Sequence, residues 1–323
     1  MPILRHLCTH TTTRFLVLAL FIFVVSLASL IFASDRFIGA AEKIGYSLGV
    51  SPFIIGVTIV AFGTSLPELT TSVIAVLSNT SEIVVGNVVG SNITNILLVL
   101  GISAIAARPL RIERDLMKNE MPLLFGSALL LWFSLRDFDL SMIEALIFLA
   151  GLIGFLTYSI KGQVAEEQDR MRTGVLTYAI LIAAGFAVYL SANYTVSSIE
   201  TLATGLGISP SIVSLSLLAL GTSLPEVVVS VAAVRKGNHS MALGNVIGSN
   251  LFNTYAVMAI PSFFGEMIIP QGIMTFSLPF MVAVTALLWI TVIGREISFW
   301  KAGMLVSFYI FYLVELIRLS FVS

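Results

Sequence analysis

The sequence has few charged residues, only one cysteine and only three histidines. Charged side chains make up 11% of the 323 residues, whereas soluble domains carry about 25%. This shortage excludes an ordinary soluble protein, and a net charge of −1 offers no basic surface for nucleic acid. The single cysteine, Cys8, excludes a disulfide framework and a thiolate metal cluster. His6, His10 and His239 fall in predicted loops, which argues against a buried histidine metal site.

Long apolar segments dominate the sequence instead. Hydrophobic residues make up 57% of the chain, and the mean hydropathy is +1.00. A helix needs about 20 mostly apolar residues to cross a bilayer. The first apolar run is too long for a signal peptide, whose apolar core has about 7–15 residues, so we count it as a span. The ten predicted spans are residues 15–34, 53–77, 83–107, 120–135, 140–160, 173–191, 208–234, 240–262, 273–293 and 299–319.

Basic residues are distributed unevenly among the predicted loops. Consecutive loops lie on alternate sides of the membrane, and this places 13 of the 17 Lys and Arg residues on one side and four on the other. The positive-inside rule assigns the richer side to the cytoplasm. We therefore expect a multi-pass protein of the cell's inner (plasma) membrane, surrounded by lipid, with both termini outside.

The chain contains an internal repeat. The segment LGVSPFIIGVTIVAFGTSLPELTTSV (48–73) aligns with LGISPSIVSLSLLALGTSLPEVVVSV (206–231) at a constant offset of 158 residues. The same offset aligns VGNVVGSNITN (85–95) with LGNVIGSNLFN (243–253). The copies begin at predicted spans 2 and 7, five spans apart, and an odd separation reverses the direction of the chain through the membrane. The two repeats are therefore predicted to be inverted.

These observations predict the fold class and the division of the chain. We expect an all-α polytopic membrane protein with ten transmembrane helices, arranged as two inverted five-helix repeats. The N-terminal half is residues 1–160, and the C-terminal half is residues 173–323. A cytoplasmic loop at 161–172 connects them. Inverted repeats with Gly/Pro-interrupted helices at matching places are typical of secondary transporters, whose substrate site lies between the repeats near the midplane of the bilayer.

The motif GTSLPE provides such an interruption in both repeats. Pro67 and Pro225 lack an N–H group, so the carbonyls of Gly63 and Gly221 lose their helical hydrogen-bond donors. Unpaired carbonyls at membrane depth are tolerated only where they are buried in protein or line a polar cavity. Such carbonyls are also potential ligands for a hard cation. The interruptions therefore mark a candidate binding site.

Glu68 and Glu226 directly follow these prolines, at a depth where a charged side chain costs at least ~2.5–3.5 kcal/mol. Predicted spans 2, 3, 7 and 8 contain no Lys, Arg or His to balance them. The positive charge must therefore come from solution, as a metal ion or as protons. Two carboxylates among neutral oxygen donors suit Ca²⁺, which takes about six to eight oxygen ligands. The neutral donors at matching positions are Thr64, Ser65, Ser91, Asn95, Thr222, Ser223, Ser249 and Asn253.

With these motifs the chain resembles the sodium/calcium exchanger branch of the cation/Ca²⁺ antiporter superfamily, in its compact prokaryotic ten-helix form. The resemblance is most specific over residues 49–101 and 207–259, which are similar to the two α-repeats of that family. It implies that Glu68 and Glu226 are shared calcium ligands. It also implies that the motif hydroxyls help to form sodium sites and that the following stripe completes the ligand set. The hydroxyls are those of Thr64, Ser65, Thr222 and Ser223, and the stripe residues are Ser91, Asn95, Ser249 and Asn253.

The resemblance further implies a function. We expect an antiporter rather than an enzyme, which exchanges Na⁺ for Ca²⁺ by alternating access while long helices 1 and 6 slide as a gate. The transported ions would be its partners, and no cofactor is expected. Well-studied members of the family carry Asp at the position of Asn253, so the sodium stoichiometry stays open at this point, as does the oligomeric state. The connection at 161–172 is too short for the large regulatory domain of animal exchangers.

Three other functions fit parts of the pattern. A proton/Ca²⁺ antiporter, or another cation antiporter, could use the same two glutamates. However, the proton-coupled branch usually carries an Asn-Ala-x-Glu-His motif where this chain has Thr-Ser-Leu-Pro-Glu. An ion channel would show uncoupled flux. An intramembrane hydrolase using Ser65 or Glu68 would lack a histidine in predicted spans 2, 3, 7 and 8 to activate the serine.

Overall fold

The computed structural model describes residues 2–112, 118–161, 173–205 and 221–322, and in these residues a helical segment lies at each of the ten predicted spans. Seven helices among the described residues are long and apolar enough to cross a membrane. Residues 208–220 of predicted span 7 lie outside the described residues, so the count of ten crossings stays a prediction. The helices are α1 (Pro2–Leu48), α2 (Pro52–Leu77), α3 (Glu82–Ala107), α4 (Glu120–Ser134), α5 (Met142–Lys161), α6 (Val175–Gly205), α7 (Leu224–Arg235), α8 (239–262), α9 (Ile273–Val292) and α10 (Phe299–Val322). The protein has the predicted all-α polytopic membrane fold.

The longest helix is α1, which has 47 residues and is about 70 Å long at about 1.5 Å per residue. The predicted end of this span at residue 34 was too early. The helix ends only at Gly49, which has a positive φ of 69°. The Val50 N–H donates to the Gly45 carbonyl at 3.0 Å and the Gly49 N–H to the Tyr46 carbonyl at 3.2 Å. This pair of hydrogen bonds is the Schellman motif that ends many helices.

Other boundary predictions also failed near helix ends. The predicted sixth span ended at residue 191, whereas α6 continues to Gly205. His6 and His10 lie within α1 rather than in a loop, and His239 is the first residue of α8. Apolar runs mark the part of a helix that lies in lipid, and a helix continues beyond that part until a residue such as glycine stops it.

α1 and α6 pack against each other in opposite directions. Near one end, the Thr195 hydroxyl of α6 donates to the Ser26 hydroxyl of α1 at 2.9 Å. Near the other end, the hydroxyl of Thr173, which precedes α6, donates to the Lys43 carbonyl at 3.3 Å. Residue numbers thus rise along α1 while they fall along α6. Antiparallel packing is required of two equivalent helices in inverted repeats.

Most of α3 is buried, whereas most of α1, α5, α6 and α10 faces outward. The centre of the fold is built from α2, α3, α7 and α8, and glycines bring the backbone of α8 close to that of α2. A Cβ atom on Gly248 would lie 2.5 Å from the carbonyl oxygen of Val57 and 2.7 Å from the Cβ of Ala61. A Cβ on Gly244 would lie 3.0 Å from the backbone nitrogen of Val57. Small residues that allow such close approach are characteristic of membrane helix interfaces.

Several loops contact each other, and in each case both loops are predicted to lie on the same side of the membrane. At one end, strand β1 (Leu110–Arg111) pairs antiparallel with strand β2 (Glu296–Ile297), so the segments after α3 and α9 meet. The Arg111 N–H also donates to Nδ1 of His239 at the start of α8, at 3.1 Å. Between the loop that precedes α3 and the loop that precedes α9, the Ile268 N–H donates to the Ser81 hydroxyl at 3.1 Å. These contacts agree with strict alternation of the spans.

The close packing of α8 on α2 predicts that Gly248→Ala lowers stability. The added methyl group meets backbone, which cannot move aside as a side chain can, and overpacking typically costs about 1–3 kcal/mol. Gly154→Ala in α5 is the matched control, because its Cβ meets nothing within 4 Å among the described residues. Thermal unfolding in detergent, followed by size-exclusion chromatography, should show a lower midpoint for Gly248→Ala than for Gly154→Ala. Equal midpoints would contradict the close packing.

Candidate ion-binding site

The first GTSLPE motif interrupts α2, as the sequence predicted, and the second has the same backbone break directly before α7. Helical geometry stops at Ser65, with φ −89° and ψ 6°, and resumes at Leu66. The second repeat has the same break at Ser223, with φ −87° and ψ 3°, before α7 begins. Each proline occupies the second position of the new helical segment, where its missing N–H breaks no helical hydrogen bond. The breaks therefore place both glutamates in the first turn of a helical segment, where the helix dipole favours negative charge.

The two carboxylates are completely buried. Glu68 and Glu226 each have 0% exposed surface. The Ser91 hydroxyl donates to Oε1 of Glu68 at 3.4 Å. The Ser65 hydroxyl, from the opposite repeat, donates to Oε1 of Glu226 at 3.3 Å. Among the described residues, Oε2 of each glutamate has no hydrogen-bond partner, so each carboxylate retains a free oxygen.

Hydroxyl and amide groups cross between the repeats in a symmetric pattern. The Thr64 hydroxyl donates to Oδ1 of Asn245 at 3.2 Å, and the Thr222 hydroxyl donates to Oδ1 of Asn87 at 3.3 Å. The two pairs are equivalent at the 158-residue offset of the repeats. Thr222 also shares a hydrogen bond with Ser91 at 3.1 Å, and the equivalent contact between Thr64 and Ser249 is 3.4 Å. The threonine of each repeat therefore reaches the polar stripe of the other repeat.

A pair of serines orients the amides in this pattern. Nδ2 of Asn87 donates to the Ser72 hydroxyl at 3.0 Å, and Nδ2 of Asn245 donates to the Ser230 hydroxyl at 2.9 Å. Each serine is fully buried, and its hydrogen bond leaves the amide oxygen directed at a threonine. Asn87 and Asn245 belong to the polar stripes that the four-residue spacing predicts, whereas the two serines were not predicted. Ser72 and Ser230 lie four residues after Glu68 and Glu226 in both repeats, and this shared spacing could have identified them.

Asn95 and Asn253 differ from the other predicted residues. Both are fully buried, yet neither amide atom of either side chain has a hydrogen-bond partner among the described residues. Each begins a π-helical turn, Asn95–Val99 in α3 and Asn253–Val257 in α8, again at equivalent places in the repeats. Such wide turns occur frequently at functional sites. A buried polar atom without a partner costs about 1–3 kcal/mol, so these amides are available to a ligand.

The structure thus connects seven of the ten predicted residues by hydrogen bonds around the two carboxylates. They are Thr64, Ser65, Glu68, Ser91, Thr222, Glu226 and Ser249. The other three, Asn95, Ser223 and Asn253, are buried, and their side-chain polar atoms have no partner among the described residues. The arrangement can offer a cation two carboxylates and a set of neutral oxygens.

Comparison with known proteins identifies relatives of similar length. The chain is 33% identical to the sodium/calcium exchanger MaX1 of Methanosarcina acetivorans, over 94% of this chain and 99% of that protein. It is 38% identical to the putative antiporter CaxA of Alkalimonas amylolytica, over 73% of this chain and 77% of the relative. It is also 33% identical to the inner membrane protein YrbG of Escherichia coli, over 76% and 80% of the two chains.

Solved structures and a family model agree with these relatives. The fold matches that of the sodium-calcium exchanger NCX_Mj, soaked with Na⁺ and Sr²⁺, with a TM-score of 0.81 and 31% sequence identity. The match covers 93% of this chain and 99% of that structure. The family model described as sodium/calcium exchanger protein matches residues 18–161 and 176–318. The chain belongs to the sodium/calcium exchanger family, as the resemblance of its repeats predicted.

Proposed function

We propose that this protein exchanges Na⁺ for Ca²⁺ across the inner membrane by alternating access. One observation carries the proposal: Glu68 and Glu226 are fully buried, and each keeps a carboxylate oxygen with no partner among the described residues. No Lys, Arg or His is buried among the described side chains. An unbalanced buried carboxylate is costly, so a cation from solution is needed to stabilise the folded site. The names of MaX1 and NCX_Mj support Na⁺ and Ca²⁺ as the cations.

The two ions compete for the same oxygens. Ca²⁺ binds between Glu68 and Glu226, where two negative charges and flexible neutral donors suit a large divalent cation. Na⁺ ions bind at the motif hydroxyls next to the same carboxylates. When one kind of ion fills the site it neutralises the carboxylates that the other kind needs for binding. This competition couples the movement of Na⁺ to that of Ca²⁺. The proposed sodium ligands are Thr64, Ser65, Thr222 and Ser223, and the proposed additional ligands are Ser91, Asn95, Ser249 and Asn253.

The carboxylates provide the first test. Glu68→Gln and Glu226→Gln each remove a negative charge while preserving shape, and either should abolish sodium-dependent Ca²⁺ uptake without unfolding the protein. The measurement is uptake of radiolabelled Ca²⁺ by sodium-loaded proteoliposomes after dilution into sodium-free buffer of equal pH. Glu82→Gln, at the exposed start of α3, is the matched control and should retain uptake.

Two results would contradict this assignment. Retained exchange in Glu68→Gln or Glu226→Gln would remove that residue from the site. Uptake by the unsubstituted protein that follows a pH gradient and ignores sodium would replace sodium exchange with the proton/Ca²⁺ alternative.

The serines that orient the amides provide a second test. Ser72→Ala and Ser230→Ala should each raise the Na⁺ concentration for half-maximal exchange by about 10-fold or more, because the amides that they orient accept hydrogen bonds from the proposed sodium ligands Thr222 and Thr64. The maximal rate and the folded fraction should change little. Ser103→Ala in α3 is the matched control, because this buried hydroxyl has no partner among the described residues. An unchanged half-maximal concentration in both variants would show that the orientation of the amides is irrelevant.

Contacts at one end of α1 support a moving gate. Lys236 donates to the Asp35 carbonyl and lies 3.9 Å from the Asp35 carboxylate. Nδ2 of Asn238 donates to Oε1 of Glu42 at 3.1 Å. These bonds hold α1 to the loop between α7 and α8. By the positive-inside rule this loop is cytoplasmic, so the proposal places the bonds at the cytoplasmic end.

Among the described residues, the equivalent bonds between α6 and the loop between α2 and α3 are not formed. The equivalent positions are Ser78 and Thr80 in the loop and Asn193 and Glu200 on α6. The described residues show no hydrogen bond between these two pairs. When two inverted repeats have different conformations, the protein reaches its second state when each repeat takes up the conformation of the other. We therefore interpret this structure as closed to the cytoplasm, with the α6 contacts expected in the opposite state.

Cross-linking tests this gate. In a Cys8→Ser background, Asp35→Cys with Lys236→Cys should react with a short bifunctional thiosulfonate, stop exchange, and recover after reduction. The equivalent pair, Asn193→Cys with Ser78→Cys, should react only in protein that visits the opposite state, and should also stop exchange. The four single-cysteine variants control for labelling alone. Full exchange by cross-linked protein would show that α1 does not move relative to this loop.

A further inference from the structure

A cavity of about 600 Å³ lies where the end of α3 meets the start of α10. The paired strands hold its two sides together, because β1 follows α3 and β2 precedes α10. The proposed ion ligands do not line this cavity, so it is separate from the ion-binding site. The residues that line it are Arg108, Pro109, Glu296, Ser298, Phe299 and Trp300.

Two aromatic side chains indicate the depth of the cavity in the membrane. Phe299 and Trp300 begin α10 and are 50% and 83% exposed. Their rings contact each other edge to face, with centroids 5.8 Å apart. Aromatic residues at the ends of membrane helices lie at the level of the lipid headgroups. The positive-inside rule predicts a cytoplasmic position for the loops after α3 and α9, so on that prediction the cavity faces the headgroups of the cytoplasmic leaflet.

The charged side chains around the cavity are mainly basic. Arg108 lines the cavity, and Arg111, Arg295 and Lys301 lie on the two segments that form it. The acid on these described segments is Glu296, which lies opposite Arg111 in the strand pair. Opposite charges at such cross-strand positions attract each other. The described side chains at this corner therefore carry an excess of positive charge, which is complementary to an anionic ligand.

Two of these arginines have an unusual backbone conformation. Arg108 has a φ of 46° and Arg295 has a φ of 55°. This left-handed conformation disfavours residues with a Cβ atom, whereas glycine adopts it readily. The ion pairs between described side chains include neither arginine. A strained backbone conformation is often found at binding sites, and here it occurs twice beside one cavity, each time at a residue with a long cationic side chain.

We propose that this cavity binds the headgroup of an anionic phospholipid. The planar guanidinium of Arg108 binds two oxygens of the lipid phosphate, a geometry that suits arginine better than lysine. The Ser298 hydroxyl donates to the same phosphate, and the rings of Phe299 and Trp300 lie against the glycerol and the first carbons of the acyl chains. Basic pockets between membrane helices on the cytoplasmic side are typical headgroup sites. The bound lipid joins the end of α3 to the start of α10.

Tryptophan fluorescence tests this site directly, because Trp300 lines it. The chain has three tryptophans, so Trp132→Phe with Trp289→Phe leaves Trp300 as the only one in the full-length protein. This protein is reconstituted in phosphatidylcholine vesicles that contain increasing fractions of brominated phosphatidylglycerol, which quenches tryptophan on contact. Brominated phosphatidylcholine gives the reference. The anionic lipid should bind next to Trp300 about 5-fold more strongly, the effect of one arginine near an anionic lipid.

Two arginine variants in this background separate the site from the general surface charge. Arg108→Gln should remove the preference for the anionic lipid. Arg235→Gln, at the exposed end of α7 on the same predicted side, is the matched control and should keep it. A protein that retains only Trp132, an exposed residue of α4, should show equal quenching by both lipids.

Three results would overturn the proposal. Equal quenching of Trp300 by the two lipids would show that the cavity does not select an anionic headgroup. An equal loss of preference in both arginine variants would assign it to the charge of the whole surface. Soluble glycerol phosphate, added in the same molar amount as the brominated lipid, should leave the quenching unchanged, and relief of quenching would replace the lipid with a phosphate ligand from solution. The measurement requires no ion transport, so its outcome is independent of the proposed exchange.

Discussion

The central constraint on this protein is the burial of two carboxylates without a buried basic residue among the described side chains. Glu68 and Glu226 have no exposed surface, and the serine hydroxyls that reach them satisfy one oxygen of each. Negative charges in a low-dielectric interior lose their hydration. The helix breaks, the dipoles of the new helical segments and the surrounding oxygen donors all reduce this cost. They do not remove it, and the cations of the proposed function would offset the remainder.

The second feature is that each repeat donates hydrogen bonds to the other. Thr64 reaches Asn245, and the equivalent Thr222 reaches Asn87. Neither repeat completes the site alone, because the hydroxyls of one lie against the amides of the other. A site shared in this way is sensitive to any change in how the repeats are placed, so the movement of a gate can alter ion binding. The close contact of α8 with α2 provides the rigid frame for this arrangement.

The symmetry of the centre contrasts with the asymmetry of the outer helices. α1 is bonded to the loop between α7 and α8, whereas the described residues show no equivalent bonds for α6. In the proposed mechanism the centre stays nearly unchanged while the outer helices alternate between two arrangements. By that proposal, the similarity of the repeats makes the two arrangements close in energy, and the few polar contacts at the helix ends determine which is favoured.

The sequence alone determined the class of the protein, the inverted repeats and the chemical nature of the site. Apolar spans identify membrane helices because lipid accepts little else, and the repeated GTSLPE locates the helix breaks because proline favours the first turn of a new helical segment. The ends of α1 and α6 were misplaced, since hydropathy does not detect where a helix continues beyond lipid. Only the tertiary structure decided that Ser72 and Ser230 orient the amides and that Asn95 and Asn253 are buried without partners among the described residues. It also decided that α1 is bonded to the loop between α7 and α8, whereas the described part of the chain shows no equivalent bonds for α6. These properties depend on distances between residues far apart in the chain, which local residue patterns do not specify.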